Sequence, residues 1–258
     1  MCEVMAQQTQ VARVAERWRP FLDRFPTPAA LAEVPAAEAI RWWSGLGYNR
    51  RALALHRTAC AVVRDHGGRL PCDLDVLLAL PGIGPYTARA VLAFAFEADH
   101  GIVDTNPARV LARWEGRRLG AQQMQAAADS VVPAGQAWAW NQAMLDLGAA
   151  VCTRRAPRCA ACPVAPHCAW ARTGRAEPDP ADGSAGVSGG QSRFEGSDRQ
   201  GRGRLVEALR AGRVASDDLA ATMGWPGDAP RAERVAATLV ADGLATRADG
   251  DGAYQLSS

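Results

Sequence analysis

The stretch Leu80-Pro-Gly-Ile-Gly-Pro-Tyr86 decides the fold that this sequence predicts. It follows an apolar run over 76–80 and precedes a helical pattern with Ala90 and Phe94 on one face, so a glycine-rich hairpin joins two helices. Backbone N–H groups are expected to point outward at the N-terminus of the second helix, at the positive end of its dipole, where an anionic oxygen binds well. Asp104 follows downstream, after an apolar pair. We interpret the pieces as a phosphate-binding hairpin with a nearby carboxylate; an ordinary helical hairpin with a surface aspartate is the alternative.

Composition predicts a soluble protein of more than one domain. The chain has 258 residues, 48% of them hydrophobic, which suits one larger and one smaller domain. Its apolar runs fall short of the roughly 20 residues that a membrane span needs, and no signal-peptide pattern opens the chain. We therefore expect a cytoplasmic protein with no membrane partner.

Charge and basic composition are uneven. Through Cys168 there are 18 arginines and 14 acidic residues (+4), and after it 11 and 13 (−2), a bias too weak to indicate nucleic-acid binding by itself. All 29 basic residues are arginine, and the sequence contains no lysine. A GC-rich coding bias explains this, but the consequence is chemical: no side-chain amine can form a Schiff base.

The order of patterns along the chain predicts three parts. Helical periodicity with few strand signals predicts an all-α domain over 1–170, opening with one helix over Glu3 to Trp18. A Gly-, Ser-, Asp- and Pro-rich stretch predicts a flexible linker over 171–201. Three helical segments and a turn signal at 249–252 predict a small winged-helix-like module over 202–258.

Four of the seven cysteines form a cluster. A disulfide framework is not expected, because the number is odd and no secretory context exists. Six, two and five residues separate the clustered four, whose thiolates suit zinc or an iron–sulfur cluster. Zinc sites more often use two well-separated pairs, so a single 4Fe–4S cluster is favoured and zinc stays open. The four are Cys152, Cys159, Cys162 and Cys168, in the predicted cluster loop 152–168.

The same loop carries Arg154, Arg155 and Arg158. Held by a cluster, these arginines would form a rigid, positively charged projection for backbone phosphates. A purely structural staple is compatible with the same residues.

Together the hairpin, Asp104 and the cysteine spacing resemble the helix–hairpin–helix DNA glycosylases with an iron–sulfur cluster. Within that superfamily the chain resembles the MutY-type adenine glycosylases over residues 1 to about 170. Three stretches carry this closer likeness: Glu3-Val-Met-Ala-Gln-Gln-Thr-Gln-Val11, Gly45-Leu-Gly-Tyr48 and Asn141-Gln-Ala-Met-Leu-Asp-Leu-Gly148.

The resemblance implies a monomeric bacterial enzyme of base excision repair, acting in the cytoplasm at the nucleoid. Its partner would be double-stranded DNA in which adenine is mispaired with 8-oxoguanine or guanine, and it would hydrolyse the N-glycosidic bond. The target base must leave the duplex to be reached. Loss of the base leaves an oxocarbenium-like sugar, so the reaction needs an acid and a carboxylate, as glycoside hydrolysis does.

The resemblance also assigns roles to residues. Glu3 would protonate adenine and Asp104 would stabilise the cationic sugar, with Tyr86 and Asn106 supporting them. The alternatives are that Glu3 is a solvated helix residue, Asp104 only a helix cap, and Tyr48 a half-buried core ring. The DNA- or base-binding residues are Gln8 and Tyr48 as wedges in the duplex, Gly82 and Gly84 in the hairpin, and Asp146 at the edge of adenine.

Position 86 indicates the reaction type. Relatives resembling endonuclease III place there the lysine that cleaves the strand, whereas this chain has Tyr86. We therefore expect a monofunctional glycosylase. A thymine–guanine mismatch or uracil glycosylase of the same superfamily and a truncated, non-catalytic DNA-binding protein are the alternatives.

The chain departs from the family at both ends. Family members have a segment before the Glu3 helix that contacts adenine, so we expect the coding sequence to begin further upstream; a truncated, impaired protein is the alternative. Typical members also carry a β-rich domain that recognises 8-oxoguanine. The acidic module over 202–258 has too few strands for that and suggests a protein contact or a cap, which leaves selectivity for 8-oxoguanine open.

Overall fold

The computed structural model describes residues 1–189 and 192–257 and is mostly helical, as predicted. The α-helices are α1 (Cys2–Ala6), α2 (Val11–Arg24), α3 (Pro28–Ala32), α4 (Ala36–Trp42), α5 (Arg50–His66), α6 (Leu74–Ala79), α7 (Pro85–Ala95), α8 (Thr105–Glu115), α9 (Ala121–Ser130), α10 (Ala137–Ala150), α11 (Ala169–Arg172), α12 (Asp198–Ala211), α13 (Leu219–Met223) and α14 (Ala229–Ala241). Short 3₁₀ turns lie at Cys159–Ala161, Ala165–His167 and Ser216–Asp218. Strands β1 (Ala245–Arg247) and β2 (Tyr254–Leu256) pair antiparallel, with Ala245 opposite Leu256.

The chain forms two compact units that do not follow sequence order. The first contains residues 1–71, the hairpin turn 79–83 and the described C-terminal residues 192–257. The second contains residues 72–78 and 84–189.

The first unit has one hydrophobic core built from both ends of the chain. Phe21 and Trp43 of the N-terminal helices are buried there, with their rings edge to face at 5.9 Å. Leu205 and Leu209 of α12 belong to the same buried cluster. The C-terminal helices therefore complete a core that the first 71 residues begin.

The C-terminal module contains the elements predicted for it. Three helices precede the β1–β2 hairpin, and a bridge between Val214 and Tyr254 fastens the segment after α12 to it. Its assignment as winged-helix-like stays a prediction. Helix α12 begins within the predicted linker, at Asp198, where the Ser197 side chain caps it by accepting a hydrogen bond from the Gln200 amide.

The second unit is organised around α8. Ala108, Leu111 and Ala112 are buried, and α10 packs along the same helix. Residues 176–189, within the predicted linker, lie against this unit: Ser184 Oγ accepts a hydrogen bond from the Leu119 amide at 3.0 Å. The predicted domain limits at 170 and 201 stay a prediction.

Candidate functional site

Asp104 lies at the N-terminal end of α8 with its carboxylate unused by the helix. It occupies the N-cap position and its carbonyl accepts a hydrogen bond from the Ala108 amide at 2.8 Å. Within the described part of the chain, its side chain makes no capping hydrogen bond. The residue is half-buried. Capping therefore does not account for this carboxylate.

Asn106, two residues on, is held by a buried arginine. Arg109 Nη2 donates to Asn106 Oδ1 at 2.7 Å and to the Gly148 carbonyl at 2.6 Å, while its Nε donates to the Cys152 carbonyl at 2.7 Å. A Cβ on Gly148 would lie 2.6 Å from the Asn106 Cβ, so only glycine lets α10 approach this closely. Arg109 and Gly148 together fix the first turn of α8.

Asn141 fixes the backbone of the segment that leads to Asp104. Its Oδ1 accepts from the Ile102 amide at 2.9 Å, and its Nδ2 donates to the His100 carbonyl at 2.8 Å. Tyr86 packs against the small buried cluster that contains Ile102. The structure thus brings Tyr86, Asp104 and Asn106 onto one well-fixed part of the second unit.

Asp146 lies on the exposed side of α10. Gln142 Nε2 donates to its Oδ1 at 3.2 Å. Its predicted contact with the edge of adenine stays a prediction.

The hairpin glycines differ in what surrounds them. Gly82 has a left-handed backbone (φ 77°), and a Cβ there would lie 2.5 Å from the Ala54 Cβ of α5. Thr58 Oγ1 also donates to the Pro81 carbonyl at 2.6 Å, which ties the turn to α5. Gly84 caps α7, and a Cβ there would meet no atom of the described residues within 4 Å. Packing thus explains Gly82 but not Gly84.

The remaining predicted residues lie in the first unit. Glu3 is half-buried in the first turn of α1. Gln8 and Tyr48 are both exposed and both have left-handed backbones, with φ of 53° and 45°. Tyr48 is 37% exposed, so it is not a core ring. A left-handed conformation is uncommon for residues other than glycine and persists only where the surroundings impose it.

Arg51, at the start of α5, holds both of these left-handed turns in place. Its two terminal nitrogens lie within hydrogen-bonding distance of six oxygens, and its guanidinium lies 5.4 Å from the ring centres of both Trp43 and Tyr48. Burial lowers its pKa to about 10, so it stays charged at neutral pH. The six acceptors are the carbonyls of Val4, Met5, Gln7, Leu46 and Gly47 and the hydroxyl of Thr9.

Arg51 also explains why the predicted single helix over Glu3 to Trp18 is wrong. The helix stops at Ala6 and resumes at Val11. The last carbonyls of α1 bond to the guanidinium instead of to further helical amides. The cause lies more than 40 residues away in sequence, so the local pattern cannot reveal it.

The four clustered cysteines line one largely apolar pocket with Val110, Leu147 and Trp170. Arg113 Nη1 lies 3.3 Å from the Cys152 sulfur, and Arg154, Arg155 and Arg158 are exposed around the loop. Across residues 1–189 and 192–257, no three His, Cys, Asp or Glu side chains are grouped closely enough to hold a single metal ion. A set of four thiols with a nearby guanidinium suits an anionic iron–sulfur cluster.

Comparison with known proteins identifies the family. Residues 1–134 match the family model described as HhH-GPD superfamily base excision DNA repair protein. The adenine DNA glycosylase of Mycobacterium tuberculosis is 40% identical over 251 residues, which cover 95% of this chain and 80% of the relative. The chain belongs to the HhH-GPD superfamily of base excision DNA repair proteins. The family predicted from the hairpin, Asp104 and the three longer stretches is therefore confirmed.

Two further likenesses support the HhH-GPD assignment. The adenine DNA glycosylase of Mycolicibacterium smegmatis is 38% identical over 259 residues, covering 99% of this chain and 85% of that protein. A solved structure of a thermostable thymine-DNA glycosylase matches with a TM-score of 0.62 and 28% identity, over 67% of this chain and 82% of that one.

Two arginines of this HhH-GPD protein support the site without any sequence motif that marks them. Arg51 and Arg109 fix the segments that carry the predicted site residues, but among 29 arginines neither is distinguished by its neighbours. Position in the sequence is the one signal that could have found them: each lies three residues after a predicted site residue, Arg51 after Tyr48 and Arg109 after Asn106. No helix among the described residues is long and apolar enough to cross a membrane.

Proposed function

We propose that this protein is a DNA glycosylase that releases adenine mispaired with 8-oxoguanine or guanine in double-stranded DNA. The observation that carries the proposal is the 40% identity, over 95% of the chain, with a protein named adenine DNA glycosylase. The placement of Asp104, Asn106 and Tyr86 in the same compact unit supports it. Action as a monomer in the bacterial cytoplasm stays a prediction.

The chemistry needs an acid for the base and a negative charge for the sugar. Adenine leaves easily only when protonated, and we assign the proton donor to Glu3 in the first turn of α1. The developing oxocarbenium ion needs a carboxylate, and Asp104 offers one that no capping bond within the described helix occupies. Water completes the hydrolysis.

Flipping adenine out of the duplex needs rigid groups that fill the gap. Gln8 and Tyr48 are exposed on tight, left-handed turns that share Arg51 as their anchor. Because the guanidinium fixes both turns together, insertion of the two side chains costs little further ordering. These features support wedge roles for both.

The hairpin would bind the DNA backbone. The open space beside Gly84, at the positive N-terminal end of the α7 dipole, suits a phosphate oxygen. Gly82 contributes indirectly, by letting the turn lie against α5.

We assign a 4Fe–4S cluster to Cys152, Cys159, Cys162 and Cys168. Structural zinc sites more often use two well-separated cysteine pairs. A four-iron cluster takes one cysteine per iron, and the four cysteines line one pocket from a single run of 17 residues instead of two well-separated pairs. When bound, the cluster would hold the loop rigid, so that Arg154, Arg155 and Arg158 can contact phosphates.

The reaction would stop at base removal. Strand cleavage of the lysine-dependent lyase type needs a side-chain amine that forms a Schiff base with the sugar, and the sequence has no lysine. Incubation with a mispaired duplex should leave an intact abasic strand that breaks only after alkali. Trapping of a covalent protein–DNA adduct with borohydride would contradict this.

The substrate is tested by base release from four duplexes that differ only in one pair: adenine opposite 8-oxoguanine, adenine opposite guanine, thymine opposite guanine and uracil opposite guanine. We expect release of adenine alone. The structural likeness to a thymine-DNA glycosylase makes thymine release the second candidate. No release from any duplex would favour a non-catalytic DNA-binding protein.

A further inference from the structure

The turn that carries Tyr48 is contacted by the C-terminal module. Arg210 of α12 is 10% exposed in its side chain, and its Nε donates to the Ile40 carbonyl at 3.0 Å. Its Nη2 donates to Asn49 Oδ1 at 2.8 Å. Asn49 directly follows Tyr48, so a residue more than 160 positions away in sequence fixes one end of the turn.

Helix α12 also reaches the other end of the turn. Both carboxylate oxygens of Glu207 lie 3.4 Å from Ser44 Oγ, and Ser44 directly precedes Gly45. Glu207 forms an ion pair with Arg210 as well. The two side chains, one helical turn apart, therefore bracket residues 45–48 and largely neutralise each other. This charge balance suits a positioning role better than a contact with phosphate.

The left-handed backbone of Tyr48 explains why this turn needs support from both sides. Its φ of 45° costs roughly 1–3 kcal/mol for a residue with a side chain, and it must be imposed by its neighbours. Arg51 binds the turn from α5 through the carbonyls of Leu46 and Gly47. Contacts from α12 supply the opposing support, and Arg199 Nη1 of the same helix lies 3.4 Å from the Tyr48 hydroxyl.

We propose that α12 is a brace for the Tyr48 turn and that Arg210 is a positioning residue for base flipping. The inference deepens the proposed function and rests on it, because it takes Tyr48 to be a wedge in the duplex. It gives the C-terminal module a task in adenine removal that requires no contact between the module and DNA.

The test is a double-mutant cycle on Arg210→Ala and Asn49→Ala. Flipping is measured in a Glu3→Gln background, with 2-aminopurine in place of the target adenine, whose fluorescence rises when it leaves the stack. We expect each variant to reduce the rise at saturating protein by at least threefold and to slow single-turnover adenine release by about tenfold, with the Kd for the duplex changed less than threefold. The double variant should lose no more than Arg210→Ala alone, because Asn49→Ala removes only a bond that Arg210→Ala has already removed.

Arg213→Ala is the matched control. Arg213 lies in the same module, pairs with Asp251 on the surface and should leave both readouts unchanged. If Arg210→Ala does not fold, Asn49→Ala carries the test, since it removes the acceptor and leaves α12 intact. Wild-type fluorescence and rate in Asn49→Ala, or additive losses in the double variant, would overturn the brace. A wild-type protein that releases no adenine would instead contradict the proposed function, and the fluorescence arm, which needs no hydrolysis, would still decide the brace.

Discussion

Among single residues, Arg51 fixes more of the predicted DNA-binding turns than any residue that the sequence motifs indicate. It joins the end of α1, the turn at Gln8 and the turn at Tyr48. Lysine keeps the charge but cannot bridge acceptors in two directions. We expect Arg51→Lys to lower the free energy of unfolding by about 1–3 kcal/mol and to slow single-turnover adenine release by about 10–100-fold.

Arg50→Lys is the control for that variant. Arg50 is the exposed neighbour on the same helix, and its only ion pair among the described residues is a long one with Asp242. It should change neither unfolding nor release. A wild-type rate in Arg51→Lys, at any stability, would contradict the anchoring role.

The residues of the candidate site could be predicted from the sequence, but the arginines that hold them in place could not. Asp104, Asn106 and Tyr86 could be assigned because their stretches resemble those of a known family, and all three lie in the second unit. Arg109 and Arg51 act on oxygens that are mostly about 40 residues away, and no local periodicity encodes such partners. The break between α1 and α2 was missed for the same reason.

Among the structural elements, the hairpin has two glycines with different roles: Gly82 is needed for packing, and Gly84 is proposed to leave room for a phosphate. Gly82→Ala would force a Cβ against Ala54 in a left-handed conformation, so we expect a loss of about 2 kcal/mol or more in urea unfolding. Gly84→Ala faces open space and should leave unfolding unchanged, yet it would place a methyl group where a phosphate is proposed to bind. We expect the duplex affinity of Gly84→Ala to fall several-fold at a fixed salt concentration. Equal affinity for wild type and Gly84→Ala would argue against a phosphate at this turn.

The segment after α11 is fastened by one buried ion pair. Arg113 Nη2 lies 2.6 Å from Asp179 Oδ2, with side chains 2% and 14% exposed. Burial alone would raise the pKa of Asp179, but hydrogen bonds from Arg113 and the Ala181 amide outweigh it and lower the pKa. We expect Asp179→Ala to lower the free energy of unfolding at pH 7 by about 3 kcal/mol, because it leaves Arg113 buried and unpaired.

The pH dependence of that difference gives a second measurement. Since the folded-state pKa of Asp179 lies below the unfolded value of about 3.9, the pair stabilises the fold above that pH and loses its effect as pH falls through the folded-state pKa. Unfolding curves of wild type and variant should therefore converge in acid. The exposed neighbour Asp182 provides the control, as Asp182→Ala should match wild type throughout.

For the whole molecule, the sequence predicted a mostly helical fold but did not predict that the C-terminal helices share a core with the N-terminal ones. The all-helical fold and the element content of the C-terminal module follow from periodicity and turn residues. The pattern of α12 shows an amphipathic helix, but nothing in it tells whether Leu205 packs within its own module or into the core with Phe21. Arg210 likewise reads as one more exposed arginine, although its acceptors lie in α4 and the Tyr48 turn.

The most direct test of adenine removal is single-turnover kinetics on a duplex with adenine opposite 8-oxoguanine, comparing wild type with Glu3→Gln. Wild type should release adenine and leave an abasic strand that stays intact until alkali is added. Glu3→Gln should bind the duplex with similar affinity and react about 10²–10⁴-fold more slowly, because only the proton donor is lost. Equal rates for the two proteins, or no adenine released by wild type, would contradict the account.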